Sequence, residues 1–133
     1  MEPPKAQSTI LIVEDEVIIR MSSAATLEDA GFDVLEAGNG AEALQILLHH
    51  KEIGILMTDV RLPGEMDGLD LVACVRQFHP AIRSLVVSGN TSHREARSAG
   101  ALGFLPKPYM AHSLVRAVRE LVQGNGASLS HAV

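Results

Sequence analysis

Glu14, Asp15, Asp59, Ser88 and Lys107 are the residues of this chain whose types could do chemistry together. Each stands at the end of a short apolar run. Thr9 to Val13 leads into Glu14, Asp15 and Glu16, Ile53 to Thr58 into Asp59, Ser84 to Val87 into Ser88, and Gly103 to Pro106 into Lys107. Taken singly, each has an ordinary explanation, since acids at a helix start suit its dipole and an Asp before a Pro-Gly turn can serve as a cap. Taken together they describe a site. Two or three carboxylates a few ångströms apart repel by about 4 kcal/mol per pair at an effective dielectric near 20. They therefore invite a hard divalent cation, for which Mg²⁺ is the natural candidate. An ammonium and a hydroxyl beside them would supply a point charge and a hydrogen-bond donor for phosphoryl oxygens. A carboxylate nucleophile, a metal and two phosphate donors make a phosphoryl-acceptor site.

The elements that must position these groups can be read from the apolar spacing. The runs are too short for helices and read as buried strands. Phe32 to Ala37 adds a partly alternating strand. Between the strands lie helical periods. Val17, Ile18, Met21, Ala24, Ala25 and Leu27 form the first, stopped at Gly31, and Ala41 to Leu48 form the second, ending near His49 and His50. Leu69, Leu71, Val72, Val75 and Phe78 form the third, closed by His79-Pro80. Asn90 to Gly100 is polar, with Ala96 and Ala99 as its few core candidates, and is expected to be the least anchored helix. Leu114, Val115, Val118, Leu121 and Val122 make the last. Five strands alternating with five helices imply an α/β, doubly wound fold: a five-stranded parallel sheet, helices on both faces, right-handed crossovers. In such a sheet all carboxyl ends lie on one edge, so the polar strand-end residues converge around Asp59.

Composition narrows the function classes. The 133 residues are 47% hydrophobic but only 3% aromatic, so the core is aliphatic. The net charge of −5, with no basic run, argues against nucleic acid as the main ligand. Cys74 is the one cysteine and falls in an apolar-periodic segment, which predicts core packing and a reducing compartment. No apolar run approaches the roughly 18 to 20 residues that span a bilayer, and Met1 to Lys5 lacks a signal-peptide layout, so a cytoplasmic protein is expected. The expected organisation is a flexible lead over 1–8, one domain over 9–123 and a disordered tail over 124–133. That leaves no room for an output domain. His49 and His50 are adjacent, do not share a helix face, and read as solvated helix-end residues, not a metal site.

Val13-Glu14-Asp15, Met57-Thr58-Asp59, Pro63-Gly64, Asp67-Gly68, Ser88-Gly89, Ala99-Gly100-Ala101 and Phe104-Leu105-Pro106-Lys107-Pro108 together resemble the receiver domain of two-component response regulators, the CheY-like family. The resemblance covers about Thr9 to Val122. It implies a (βα)5 flavodoxin-like fold with Asp59 as phosphoacceptor. Glu14, Asp15, Asp59 and the backbone carbonyl of Arg61 would hold Mg²⁺, Ser88 would be the switch hydroxyl, Lys107 the phosphate-binding lysine, and Phe104 an aromatic that turns inward on activation. It also implies a cis bond between Lys107 and Pro108, and a sensor histidine kinase or histidine phosphotransfer protein as donor. The readout would be a reshaped face of the fourth helix, fifth strand and fifth helix, acting on another protein in a monomer or weak homodimer, or in a phosphoryl relay or sink. The domain would promote only its own phosphotransfer and hydrolysis and is not otherwise an enzyme.

Four features depart from the common pattern. Glu14 stands where many members have Asp, the loop around Glu65 is one residue longer, Phe104 lacks a tyrosine hydroxyl, and Arg61 and Asn90 occupy positions that border the water path. A haloacid-dehalogenase-type phosphatase would want a second Asp two residues after Asp59, where this chain has Arg61. A pseudo-receiver, which keeps the fold as a binding module without being phosphorylated, is the remaining alternative.

Overall fold

The computed structural model describes residues 9–124. The expected lead and all but the first residue of the expected tail lie outside the described residues. The strands are β1 Thr9–Val13, β2 Asp33–Ala37, β3 Ile53–Asp59, β4 Arg83–Ser88 and β5 Gly103–Pro106. They alternate with α1 Val17–Asp29, α2 Gly40–His49, α3 Gly68–Phe78, α4 His93–Ala99 and α5 Ala111–Val122. All pairings are parallel and the order is β2-β1-β3-β4-β5. The expected doubly wound α/β sheet is what forms. Register puts Val13 beside Thr58, Asp59 beside Val87 and Ser88 beside Pro106, so the strand ends that carry the polar residues align on one edge.

Alternation along each strand divides the core in two. Leu11, Val13, Leu56 and Val86 face Ala43 and Leu47 of α2, Leu71, Val72 and Val75 of α3, and Ala96 of α4. Their neighbours Ile10, Ile12, Ile55, Met57, Leu85 and Val87 face Ala24 and Leu27 of α1 and Leu114, Val118 and Leu121 of α5. Covered on both faces, the central strands are apolar on both sides along most of their length, with buried polar residues such as Thr58 and Ser84 few among them, which is why they read as continuous runs.

Side-chain caps fix several helix starts. Asn39 accepts from the Glu42 N–H at 2.8 Å, and reciprocal capping boxes open α3 (Asp67 with Asp70) and α4 (Ser92 with Glu95). Gly31 (φ 100°) follows α1 where the helix was expected to stop, and Gly100 (φ 116°) closes α4 in the left-handed conformation that suits glycine.

The rotation of α1 differs from expectation. Its buried residues are Ser23, Ala24 and Leu27, whereas Val17, Ile18 and Met21 are more than half exposed, Ile18 at 79%. The helix begins beyond the carboxyl end of β1, so its first turns have little sheet beneath them. Phe78, the last residue of α3, is likewise 66% exposed, and Cys74 is half-buried on the helix flank instead of packed in the core. His49 is exposed and His50 half-buried, the latter paired with Glu52 at 2.9 Å. No helix among the described residues is long and apolar enough to cross a membrane.

Candidate functional site

Four of the five strand-end residues meet on the carboxyl edge. Oxygens of Glu14, Asp15 and Asp59 lie within 4.8 Å of one another, the only cluster of three or more metal-ligating side chains among the described residues. Lys107, reaching in from β5, places Nζ 2.9 Å from both Glu14 Oε1 and Asp59 Oδ2. The ammonium bridges two carboxylates that would otherwise repel.

The first acid is fixed by its own loop. Glu14 continues the sheet by donating its N–H to the Ala37 carbonyl at 3.0 Å, and its Oε2 accepts the Glu16 N–H at 3.1 Å. Arg20, one turn into α1, donates from Nη1 to the Glu14 carbonyl at 2.8 Å and from Nε to Glu36 at 3.1 Å, tying the loop to β2. The longer Glu side chain therefore lies buried against the lysine, while Asp15 stays exposed.

Asp59 is set by the turn that follows it. Gly68 donates its N–H to the Val60 carbonyl at 2.7 Å, and any side chain there would collide with the Asp59 carbonyl oxygen. Only glycine permits that approach. The Asp59 carbonyl accepts the Thr58 hydroxyl at 2.8 Å. Of the two carboxylate oxygens, Oδ2 is held by Lys107, whereas Oδ1 receives only a long 3.4 Å contact from the Arg61 N–H. In the loop after Glu65, Met66 folds back so that its sulfur lies against Gly40, the first residue of α2.

The Ser88 hydroxyl points into its own loop and makes no hydrogen bond to the Asp59 or Lys107 side chain, although the Ser88 carbonyl accepts the Lys107 N–H at 3.0 Å. Its Oγ accepts the N–H groups of Asn90 (3.1 Å) and Thr91 (3.0 Å). With both lone pairs occupied, its O–H is left to donate. Asn90 and Thr91 are thus engaged outside the helix, and α4 starts at His93 behind the Ser92 cap. With its amide oriented to satisfy both ends, Asn90 donates to the Gly89 carbonyl and accepts from Arg61 Nη2 at 3.2 Å, so Asn90 and Arg61 touch. Phe104 is half-buried against the α3-side core, its ring edge-on to His93 with centroids 5.7 Å apart.

The peptide between Lys107 and Pro108 is cis. Immediately beyond it, the hydroxyl of Tyr109 hydrogen-bonds that of Ser23 on α1 at 2.5 Å, joining the lysine loop to the helix after the acids. Tyr109, Arg20, Ser23 and His93 are site neighbours that sequence reasoning missed. Only Tyr109 carried a local signal, as the chain's single tyrosine directly after Lys107-Pro108.

Electrostatics follow the geometry. Burial pushes the Glu14 carboxyl above the usual carboxylate range, against the opposing hydrogen bonds from Lys107 and the Glu16 N–H. Burial alone would lower Lys107, but its hydrogen bonds to Asp59 and Glu14, and their charges, hold it well above an ordinary lysine. Burial also raises the Tyr109 hydroxyl, which the Ser23 hydrogen bond partly offsets. No buried side-chain nitrogen or oxygen among the described residues lacks a hydrogen-bond partner.

Residues 10–119 match the family model of the response regulator receiver domain. The sensor kinase CckA of Brucella abortus is 39% identical over 120 residues, covering 87% of this chain, and the transcriptional regulatory protein PdtaR of Mycobacterium tuberculosis is 34% identical over 112 residues, covering 82%. The chain spans only 13% of the former's length and 54% of the latter's. Among solved structures, a receiver domain protein from Clostridium thermocellum superimposes with a TM-score of 0.82 at 25% identity over 90% of this chain and 98% of its own. The chemotaxis response regulator CheY4 of Vibrio cholerae gives 0.79 at 29% identity over 86% and 98%. With its parallel sheet, clustered acids and bridging lysine, the chain belongs to the receiver-domain family of response regulators, signalling domains of two-component systems.

Proposed function

We propose that this chain accepts a phosphoryl group on Asp59 from a phosphohistidine donor and converts it into a changed surface at α4, β5 and α5. The observation that carries the reading is Lys107 Nζ at 2.9 Å from both Glu14 and Asp59 beside a third carboxylate. Asp59 Oδ1, the oxygen with the weaker hydrogen bond, attacks phosphorus. The new O–P bond forms as the P–N bond to the donor imidazole breaks, and the imidazole leaves with a proton. Lys107 then follows the phosphoryl oxygens as a point charge, and the unused O–H of Ser88 donates to one of them.

The all-oxygen donor set of Glu14, Asp15 and Asp59 fits a hard cation better than a soft one. Mg²⁺ would be held by these three and the Arg61 carbonyl, and when bound it supplies positive charge against the phosphoryl oxygens. Lys107 supplies one positive charge against the three carboxylates and touches two of them.

For the donor, an apolar shelf lies beside the site. Val17, Ile18 and Met21 of α1 and Met110 are all more than half exposed, and Ile18 lines a groove with Ile19, Ser22, Lys107, Pro108 and Tyr109. Apolar surface grouped at the rim of a reactive carboxylate suits docking of an amphipathic helix from a sensor histidine kinase or phosphotransfer protein. The proposed span of the receiver is 9–123, acting in the cytoplasm through protein contacts or as a relay or sink.

The test is intact-protein mass after incubation with Mg²⁺ and acetyl phosphate, with Asp59→Asn in parallel. One added phosphoryl mass, lost in the variant, is the expected result. No adduct, together with no response to beryllofluoride, would leave the phosphorylation-independent pseudo-receiver.

A further inference from the structure

Phe104 and His93 meet edge-to-face, with centroids 5.7 Å apart and planes at 86°. The contact ties the thinly buried α4 to β5, a strand that β4 pairs along its length. β5 is the outermost strand on its side of the sheet, and α4 buries a single side chain, Ala96. His93 is the first residue of α4, directly after the Ser92 cap whose box with Glu95 fixes the helix start. Upstream, the Asn90 and Thr91 N–H groups both hang on Ser88 Oγ. From Ser88 to His93 the chain is therefore one hydrogen-bonded arc, with the site's hydroxyl at one end and the histidine ring at the other. When the hydroxyl moves, both amides must move with it or lose their acceptor, and Thr91 is bonded directly to the Ser92 cap that begins the helix.

We infer that His93 is a positioning residue that holds the Phe104 ring in its resting place, and that displacement of the Ser88–Ser92 arc by a phosphoryl group on Asp59 withdraws it. The release step rests on the phosphoacceptor reading; the hold does not. Phe104 has no hydroxyl with which to anchor itself, so its resting position depends on what its ring packs against. The α3-side core takes one side of the ring and His93 an edge. An edge-to-face pair of this kind corresponds to about a 2- to 10-fold bias between two ring positions. That is enough to shift the resting population of a two-state element without locking it.

The test uses the full chain grown with 4-fluorophenylalanine, which labels Phe32, Phe78 and Phe104, the last assigned with Phe104→Leu. Fluorine spectra and beryllofluoride titrations in Mg²⁺ are compared for wild type, His93→Ala and His93→Phe. The Phe104 signal of His93→Ala is expected to move, without beryllofluoride, toward the position it takes with it, and beryllofluoride affinity is expected to rise about 2- to 10-fold. His93→Phe, which restores an aromatic edge, is expected to stay near wild type, an outcome that a purely structural role at the helix start does not produce. If wild type responds to beryllofluoride and His93→Ala matches it in both readouts, or if His93→Phe behaves as His93→Ala, the hold is overturned. A wild type that ignores beryllofluoride overturns the phosphoacceptor reading and the release step together, while the ring signal of free His93→Ala still decides the hold.

Discussion

Helices α3 and α4 begin alike and are held differently. Both open with a reciprocal capping box and both cover the same face of the sheet. Yet α3 runs for 11 residues and buries Gly68, Leu71, Val72 and Val75, whereas α4 runs for 7 and buries only Ala96. Capping chooses where a helix starts; burial decides how firmly it stays. The consequence is a division of labour around one strand edge. The turn after Asp59 is wedged by Gly68 under a firm helix, and the acids and Lys107 are cross-linked to β1, β2 and β5. The turn after Ser88 leads to a helix that buries one side chain. On the proposed function, the chemistry belongs to the firm side and the response to the soft one.

The largest expected effect tests that contrast directly. Leu71→Ala removes a fully buried side chain of α3 and should cost about 2–5 kcal/mol in urea unfolding, whereas Ala96→Gly in α4 should cost about 1 kcal/mol. Equal losses would break the comparison. Next, Gly68→Ala forces a methyl against the Asp59 carbonyl and should cost about 1–3 kcal/mol, read as a lower urea midpoint. A neutral result would mean that the turn after Asp59 is as yielding as the one after Ser88.

Cap deletions sharpen the point. Asp67→Ala and Ser92→Ala each remove a cap worth about 1 kcal/mol to its own helix. In α3 that loss should appear in the global unfolding free energy. In α4 it should appear as faster amide exchange over 93–99 with the unfolding midpoint nearly unchanged, because α4 can open by itself.

The smallest effect concerns the link between the two sides of the site. Tyr109 is the only tyrosine and there is no tryptophan, so its phenolate can be followed by absorbance alone. Burial raises its pKa and the Ser23 hydrogen bond lowers it, so Ser23→Ala should move the titration further upward. The folded state then keeps a proton that the unfolded chain loses near pH 10, so native binds more protons than unfolded. Stability is therefore expected to fall as pH rises from about 10 through the folded pKa, visible as a declining melting temperature.

Much of this was legible before any coordinates. Strands buried on both faces are apolar along most of their length, and a parallel sheet must gather its carboxyl ends, so Glu14, Asp15, Asp59 and Lys107 could be placed together from their positions after such runs. The weak hold on α4 was equally legible, because a helix with two small apolar residues has little to bury. Helix rotation was not. Val17, Ile18 and Met21 satisfy the helical period as well as Ser23, Ala24 and Leu27 do, and only the end of the sheet decides which set is covered. Contacts made across the fold were illegible for the same reason. Nothing near Ser23 in sequence points to Tyr109, 86 residues away, and nothing near Phe104 points to His93. Ser88 was read correctly as a strand-end hydroxyl, but its bonds to Asn90 and Thr91 depend on how the loop turns back.

The most direct test of the division between firm and soft sides is hydrogen exchange of the full chain in Mg²⁺, with and without beryllofluoride, with Asp59→Asn as control. The expected result is a change in protection over 88–106, covering the Ser88 loop, α4 and β5, with 68–78 unchanged and no response in the variant. Changes centred on α3, or a response that survives Asp59→Asn, would contradict it.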